Sequence, residues 1–246
     1  MILFVGDIHG KTFAAKQIDA YAKKIGATAI IQTGDFGLLW GGPNDDFEEE
    51  FFTYFYTREP SLPVWYTCAG NHDNWDALKA KADIQGNADV VELAPNCFWV
   101  QRGKFLNIEG KKILFFGGAE SIDKYHRTEG ISWWAQETPS YKEFEDFFSA
   151  LDEGKPDIVI THDAPKSIDI WRIDNRESVT PKSLQKIFEL TSHRPKAWLF
   201  GHHHILEEWN VDGTAFYCCG IEGEGWEYHL EDDSFHSFDD KLINSI

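Results

Sequence analysis

Cysteine is scarce in this chain, and long apolar runs are missing. The sequence has 4 cysteines in 246 residues, and Cys68, Cys97, Cys218 and Cys219 form no Cys-x-x-Cys pair. This spacing predicts structural or free thiols in a reducing, cytoplasmic compartment. No apolar stretch is long enough to span a bilayer. The first apolar run starts at Ile2 without a basic segment before it, so we expect no secretory signal.

Basic residues are also in deficit. There are 23 Lys and Arg residues against 41 Asp and Glu residues, which gives a net charge of −18. A field of that sign repels long polyanions, so we expect no binding to long duplex nucleic acid. A small phosphate-ester substrate remains compatible, because bound divalent cations would reverse the local potential. Gly and Pro never cluster into a linker, which predicts a single domain over residues 1–246 and leaves the oligomeric state open.

Apolar periodicity predicts alternating strands and helices. In the first part we expect strands over 2–5, 29–31 and 64–68, and helices over 12–26 and 45–58. Further on we expect an antiparallel meander over 97–118, helices over 141–151 and 180–190, strands over 157–160 and 197–200, and a hairpin around 211–214. The pattern predicts an α/β fold with two packed mixed β-sheets flanked by helices, with parallel strands early and antiparallel strands later.

Five of the predicted strands end in Asp, Asn or His. The endings are GDIHG at 6–10, GDFG at 34–37, GNHD at 70–73, THD at 161–163 and GHHH at 201–204. One such ending would be ordinary turn chemistry. Five of them, four with His, indicate a metal site at the carboxyl edge of the strands, where α/β sheets bind ligands. Asp, Asn and His without Cys suit Mn, Fe, Zn or Ni.

Seven of these residues form a candidate ligand set for two divalent metal ions: Asp7, His9, Asp35, Asn71, His162, His202 and His204. If Asp35 bridges, each metal receives four protein ligands and keeps open positions for water and substrate. Two metals held in this way are the standard arrangement for activating water and clamping a phosphoryl group.

In this order the five endings resemble the motifs of calcineurin-like metallophosphoesterases, and the stretch GGAESIDKYHRTEGISWWAQETPS at 117–140 resembles a segment of their small bacterial and phage members. The resemblance extends from residue 6 to residue 204. It implies a two-sheet sandwich flanked by helices and two divalent metals, with Mn favoured. One metal would be held by Asp7, His9, Asp35 and His204, and the other by Asp35, Asn71, His162 and His202.

The resemblance also implies a mechanism, in which a hydroxide held between the metals attacks phosphorus. His72 would face the substrate as candidate general acid. Asp73 would orient the His72 ring and favour its charged form. His203, between two predicted ligands, is expected not to be a ligand itself.

Two departures from related enzymes bear on the substrate. The GDFG motif lacks the Arg that grips phosphate in phosphoprotein phosphatases and dinucleoside tetraphosphate hydrolases, and Asp73 stands where those phosphatases carry Glu. Both departures disfavour a Ser/Thr protein phosphatase. The missing Arg leaves one fewer cation for a dianionic monoester, which favours a phosphodiesterase acting on a small phosphodiester or nucleotide. A phosphomonoesterase, a protein phosphatase, a nuclease on short single strands and, last, a non-catalytic metal-binding module remain as alternatives.

The polar and aromatic stretch over 117–140 is predicted to be a substrate-facing loop. Arg127 would bind phosphate, and Trp133 or Trp134 would stack on a base or aryl group. The alternative is that the two Trp residues pack the loop onto the body of the protein. Arg102 and Arg172 are further candidates for a phosphate-binding cation.

Overall fold

Strands and helices alternate in the computed structural model, which describes residues 1–37, 46–168, 170 and 178–239. The elements of the first part are β1 Ile2–Val5, α1 Thr12–Ile25, β2 Ala29–Gln32, α2 Asp46–Thr57, β3 Val64–Thr67, α3 Trp75–Ile84, β4 Val90–Ala94 and β5 Cys97–Val100. Those of the second part are β6 Lys104–Ile108, β7 Lys111–Phe116, α4 Tyr141–Gly154, β8 Ile158–Thr161, α5 Val179–Leu190, β9 Ala197–Phe200, β10 Leu206–Val211, β11 Thr214–Cys219, β12 Gly225–His229 and β13 Ser234–Phe238.

The strands form two mixed sheets. One has seven strands in the order β13-β12-β1-β2-β3-β5-β4, and the other has six in the order β10-β11-β9-β8-β7-β6. In the first sheet β1, β2, β3 and β5 run parallel, and in the second β7, β8, β9 and β11 do. Antiparallel strands flank both centres. The predicted α/β class with two packed sheets and flanking helices is confirmed.

Alternation of side chains along the strands builds four layers. In β1, Leu3 and Val5 join the apolar cluster under α1, α2 and α3, whereas Ile2 and Phe4 join the cluster between the two sheets. A third cluster packs α4 and α5 on the outer face of the six-stranded sheet around Trp198. Each large apolar side chain buried in this way contributes about 1.5–3 kcal/mol, so burial holds the layers together.

The predicted meander over 97–118 is wrong in its pairing. The strand β5 pairs with β3 and β4 in the seven-stranded sheet, while β6 and β7 pair with each other in the six-stranded sheet. The chain changes sheet between them, turning at Gly103, whose φ of 73° lies in the left-handed region. Apolar periodicity identifies strands but does not say which sheet they join.

The prediction of antiparallel strands late in the chain is correct only for the sheet borders, because β7, β8 and β9 are parallel. The sequence analysis also missed α3, β4, β12 and β13. The helix α3 carries a clear start signal, since the Asn74 side chain accepts a hydrogen bond from the backbone N–H of Ala77 at 3.0 Å. This helix follows the GNHD ending directly and fixes where that ending leaves the sheet.

Two further features concern the helices and the cysteines. In the described part of the chain, every helix falls short of the length and apolar character that crossing a membrane requires. All four cysteines lie in that part, where each is buried and free.

Candidate metal centre

The predicted ligands meet at one edge of the sandwich. The strands β1, β2 and β3 are neighbours in one sheet, and β8 and β9 are neighbours in the other. Ligand atoms of Asp7, His9 and His204 lie within 4.8 Å of one another, and so do those of Asp35, His162 and His202. A third group at the same spacing joins Asp35 to His9 and His72. Asp35 therefore lies between the two ligand sets, where a bridging carboxylate would have to be.

Backbone conformation at these strand ends is unusual. Four ligand residues have φ in the left-handed region: 50° at His9, 55° at Asp35, 65° at His202 and 55° at His204. Residues other than glycine rarely adopt this conformation, and each instance costs about 1–3 kcal/mol. The rest of the fold therefore has to hold these turns, and they aim the side chains into one shared volume.

Motif glycines allow the ligands to approach the backbone. A Cβ added at Gly70 would overlap the Asp35 carboxylate, and one added at Gly34 would overlap the His162 ring. At Gly201 it would overlap the carboxylate of Asp7. These overlaps explain the glycines in GD, GN and GH, because a larger residue would displace the ligand beside it.

The first ligand group has the chemistry of a cation site. Nε2 of His204 lies 2.9 Å from Oδ2 of Asp7, and Nε2 of His9 lies 3.2 Å from Nε2 of His204. Only a proton or a metal ion stabilises ring nitrogens and a carboxylate oxygen that converge in this way. The hydrogen bond to Asp7 raises the pKa of His204, so a metal would replace that proton.

The second group has a ring whose tautomer is fixed. Nδ1 of His162 lies 2.8 Å from the carbonyl oxygen of Thr33. A carbonyl only accepts, so Nδ1 carries the hydrogen and Nε2 is the ligand atom. Nε2 faces Oδ1 of Asn71 at 3.0 Å and Oδ1 of Asp35 at 3.3 Å. Three electronegative atoms around one buried point call for a cation, and the donor set fits a divalent metal.

The charges in the metal-free chain agree with this reading. Burial alone would raise the pKa of Asp35, but the adjacent His162 and His72 rings hold it well below its usual range. Burial would lower the pKa of His162, yet Asp35 outweighs it and raises that pKa to about 10. Burial lowers the pKa of His202 to about 4, which leaves a neutral ring able to offer a lone pair to a metal. The Asp35 carboxylate is thus ionised and balanced by a proton that a metal can replace.

His72 lies beside the ligands rather than among those predicted to bind metal. Its backbone N–H donates to Oδ1 of Asp35 at 2.7 Å. Nη2 of Arg127 lies 3.2 Å from its Nε2, and Nη1 lies 3.4 Å from its Nδ1. A neutral imidazole accepts at one nitrogen only, so only one of these two contacts is a hydrogen bond. The predicted loop 117–140 therefore reaches the metal centre through Arg127.

The expected charged form of His72 is not favoured in this environment. Burial lowers the pKa of His72; the Asp35 carboxylate opposes that shift and Arg127 adds to it. The Asp73 carboxylate accepts hydrogen bonds from the backbone N–H groups of Gly37, at 3.1 Å, and Gly70, at 2.7 Å. These bonds brace the two ligand loops, and the orientation of His72 by Asp73 stays a prediction.

The other loop residues differ in their roles. Trp134 is only 2% exposed and belongs to the apolar cluster under α1, α2 and α3, so it packs the loop onto the body and faces no substrate. Trp133 is half-buried. Arg102 donates to the carbonyl oxygens of Gly117, Gln136 and Glu137 and to the carboxylate of Glu143. It anchors the loop and is not the phosphate-binding cation, while Arg172 lies outside the described residues.

Sequence reasoning missed two supporting side chains. Ser121 and Glu137 lie behind Asn71 and are linked to it by hydrogen bonds. His203, which was expected not to be a ligand, has its Nε2 3.2 Å from Oδ1 of Asp163, and this contact ties the THD ending to the GHHH ending. These partners are far apart in sequence, and no local pattern signals them.

Fold and site together define a class of protein: an α/β sandwich of two sheets that gathers Asp, Asn and His ligands for metal ions at one edge. The chain belongs to the calcineurin-like phosphoesterase family, whose model matches residues 1–206. The resemblance read from the motifs is confirmed, and membership makes the chain a phosphoric ester hydrolase of the metallophosphoesterase type.

Solved structures show the same fold at low sequence identity. The protein TT1561 of Thermus thermophilus aligns with a TM-score of 0.62 and 17% identity over 97% of this chain and 97% of its own. GAP50, the anchor in the inner membrane complex of Plasmodium, aligns with a TM-score of 0.54 and 16% identity over 89% of this chain and 70% of its own. A search of the curated proteins gives no match.

Proposed function

We propose that this chain is a dinuclear metal-dependent hydrolase of small phosphate esters, and that a phosphodiester or nucleotide is its substrate. The observation that carries the proposal is the convergence of two ligand groups at Asp35: one group contains Asp35, and His9 links the other group to it. One metal would be held by Asp7, His9, Asp35 and His204, and the other by Asp35, Asn71, His162 and His202. Mn is the favoured metal, with Fe, Zn or Ni as alternatives.

Each part of the site then has a task. When bound, two divalent ions supply Lewis-acid stabilisation of the phosphoryl oxygens and a water nucleophile at neutral pH. Arg127 would bind the phosphate, because its cationic side chain contacts His72. His72 would donate a proton to the leaving oxygen; its lowered pKa makes the charged ring less common but a stronger acid. Residues 1–246 would work as one domain in a reducing, cytoplasmic setting.

The substrate class rests on two considerations. A phosphomonoester carries up to two negative charges and a phosphodiester one, and GDFG offers no Arg to the phosphate. Arg127, which is paired with Asp123 at 2.9 Å, supplies one cation beside His72, which suits a diester. The net charge of −18 disfavours long duplexes as substrates. The ligand set and His72 support catalysis by this chain beyond what its fold alone implies.

The test of the proposed function starts from a chain stripped of metal with a chelator. Mn, Fe, Zn or Ni is restored, and an aryl phosphodiester is compared with an aryl phosphomonoester, followed by nucleotides and cyclic nucleotides. We expect hydrolysis that depends on metal and is faster for the diester. A metal-loaded chain that hydrolyses neither ester would overturn the proposed function, and faster monoester hydrolysis would overturn the diester assignment.

Substitution of Arg127 tests the phosphate-binding role of the loop. Arg127→Ala removes a cation that contacts His72, and a charge-assisted hydrogen bond contributes about 1.5–3 kcal/mol. We therefore expect KM to rise roughly tenfold or more, with a smaller change in kcat, since the guanidinium binds ground and transition states alike. Steady-state kinetics on the aryl diester measures both constants.

Lys124→Ala is the matched control, because Lys124 is a cation of the same loop whose Nζ is paired with Oε1 of Glu120 at 2.7 Å. The control should keep the wild-type KM. If both substitutions raised KM equally, the overall charge of the loop, rather than Arg127 itself, would be responsible for substrate binding. An unchanged KM in Arg127→Ala would assign Arg127 a purely structural role.

A further inference from the structure

A carboxylate ligand can turn either oxygen toward a metal, because its two oxygens are equivalent. The side chain of Asn71 has no such symmetry, so its orientation matters. Its amide has an oxygen at one end and an NH₂ group at the other, and only the oxygen can bind a cation. The oxygen, Oδ1, faces Nε2 of His162 at 3.0 Å, on the side of the metal centre. Whatever fixes the other end of this amide therefore decides whether Asn71 is a ligand.

The other end of the amide meets a buried chain of hydrogen bonds. Nδ2 of Asn71 lies 3.1 Å from Oγ of Ser121. Oγ of Ser121 lies 3.0 Å from Oε2 of Glu137, and the backbone N–H of Ser121 donates to Oε1 of Glu137 at 2.6 Å. Ser121 is 2% exposed and Glu137 is fully buried. A buried carboxylate held in this way is costly to keep unless its hydrogen bonds are all made.

When Glu137 is ionised, only one assignment of donors and acceptors satisfies this chain of hydrogen bonds. An ionised carboxylate accepts and never donates, so the Ser121 hydroxyl must donate to Glu137. Oγ of Ser121 then has only lone pairs for Asn71, which must present its NH₂ group to it. We propose that Glu137 and Ser121 are positioning residues that hold the Asn71 amide with its oxygen toward the metal centre. The inference rests on the proposed function, since it concerns a ligand of that site.

Replacing Glu137 by Gln should reverse the polarity of these hydrogen bonds. The backbone N–H of Ser121 would keep the oxygen of the new amide, and the new NH₂ group would donate to Oγ of Ser121. The Ser121 hydroxyl could then donate to Asn71, which favours an amide turned with its NH₂ group toward the metal centre. Glu137→Gln is nearly isosteric, yet it should actively misdirect Asn71, whereas Ser121→Ala merely releases it.

The experiment measures metal binding in the full chain. Wild type, Glu137→Gln, Ser121→Ala and the double variant are stripped, refilled with Mn and analysed for metal per chain and for Mn affinity by calorimetric titration. The measurement is made at about pH 8, because burial raises the pKa of Glu137 to about 7 and the carboxylate must be ionised. We expect Glu137→Gln to weaken one of two Mn sites about 10–100-fold, the usual range for a residue that orients a ligand. Ser121→Ala should cost less.

The double variant separates positioning from packing. If Glu137 acts through Ser121, adding Glu137→Gln to Ser121→Ala should cause no further loss of metal. Glu143→Gln is the matched control. Glu143 also anchors the loop 117–140, but it does so through Arg102, at 2.9 Å, and Ser140, at 2.7 Å. Its metal content should stay at the wild-type level.

Other outcomes would overturn the inference. One such outcome is that Glu137→Gln loses as much metal in the Ser121→Ala background as in wild type. Another is that Glu143→Gln loses as much metal as Glu137→Gln. Either result would show that Glu137 only packs the loop. Both results leave the proposed function standing. The proposed function would instead be overturned by a wild-type chain that holds two Mn ions and hydrolyses no ester. The positioning of Asn71 could still be tested in that case, because metal content measures it.

Discussion

Asp35→Asn is expected to be the most damaging substitution of a single ligand, with metal lost from both groups at once. Asp35 lies between the two ligand sets, and its carboxylate accepts the backbone N–H of His72 in addition. An amide in its place would offer one neutral oxygen and one NH₂ group, which binds no cation. Turnover should fall about 10³-fold or more, because metals contribute several kcal/mol to the transition state and each 1.36 kcal/mol is a factor of about ten.

Elemental analysis of the purified variant measures this loss directly. His9→Ala is the comparison, since His9 belongs to one of the two predicted metal sites and its loss should leave the other filled. Metal per chain in Asp35→Asn should therefore lie well below that in His9→Ala. Two tightly held metals in Asp35→Asn would show that Asp35 does not bridge, and the assignment of ligands to the two sites would have to change.

His72→Asn is expected to keep both metals and to lose turnover selectively. A leaving alkoxide is a strong base that departs more easily once protonated, so a positioned acid matters most for a poor leaving group. For such a substrate we expect kcat to fall by ~10²–10⁴. For a nitrophenyl ester the loss should be much smaller, because nitrophenolate departs without a proton. The measurement is kcat for both substrates in wild type and variant.

The comparison also tests two alternatives for His72. Equal losses on the two substrates would mean that the ring only contacts the phosphate, as its position against Arg127 would permit. Loss of metal from the variant would make His72 a ligand, which its grouping with His9 and Asp35 leaves open. Either result would retire the general-acid role.

The sequence was informative wherever local chemistry and position coincide. An apolar run followed by Asp, Asn or His marks both a strand and its carboxyl end, so Asp7, Asp35 and His162 could be assigned to one edge before any fold was available. The structure brings all seven predicted ligands to that edge. Arg127 was predicted to bind phosphate from the loop; the structure places it against His72, and its phosphate-binding role stays a prediction.

The sequence was silent wherever partners are distant along the chain. Nothing local distinguishes β5 from β6, although they belong to different sheets. Ser121 is 16 residues from Glu137 and 50 from Asn71, and no periodicity connects them. The left-handed backbone at His202 and His204 is imposed by neighbouring elements against local preference, so propensity cannot predict it. Arg102 is a suitable phosphate ligand by residue type, but its guanidinium donates hydrogen bonds to carbonyl oxygens of the loop.

The central claim is that two metals held around Asp35 carry out phosphoester hydrolysis. The most direct measurement follows hydrolysis of the aryl phosphodiester while Mn is added back to the stripped chain, with metal per chain determined at each step. The account predicts little activity up to one metal per chain and a steep rise as the second site fills. Full activity at one metal per chain, or activity that does not depend on metal, would contradict it.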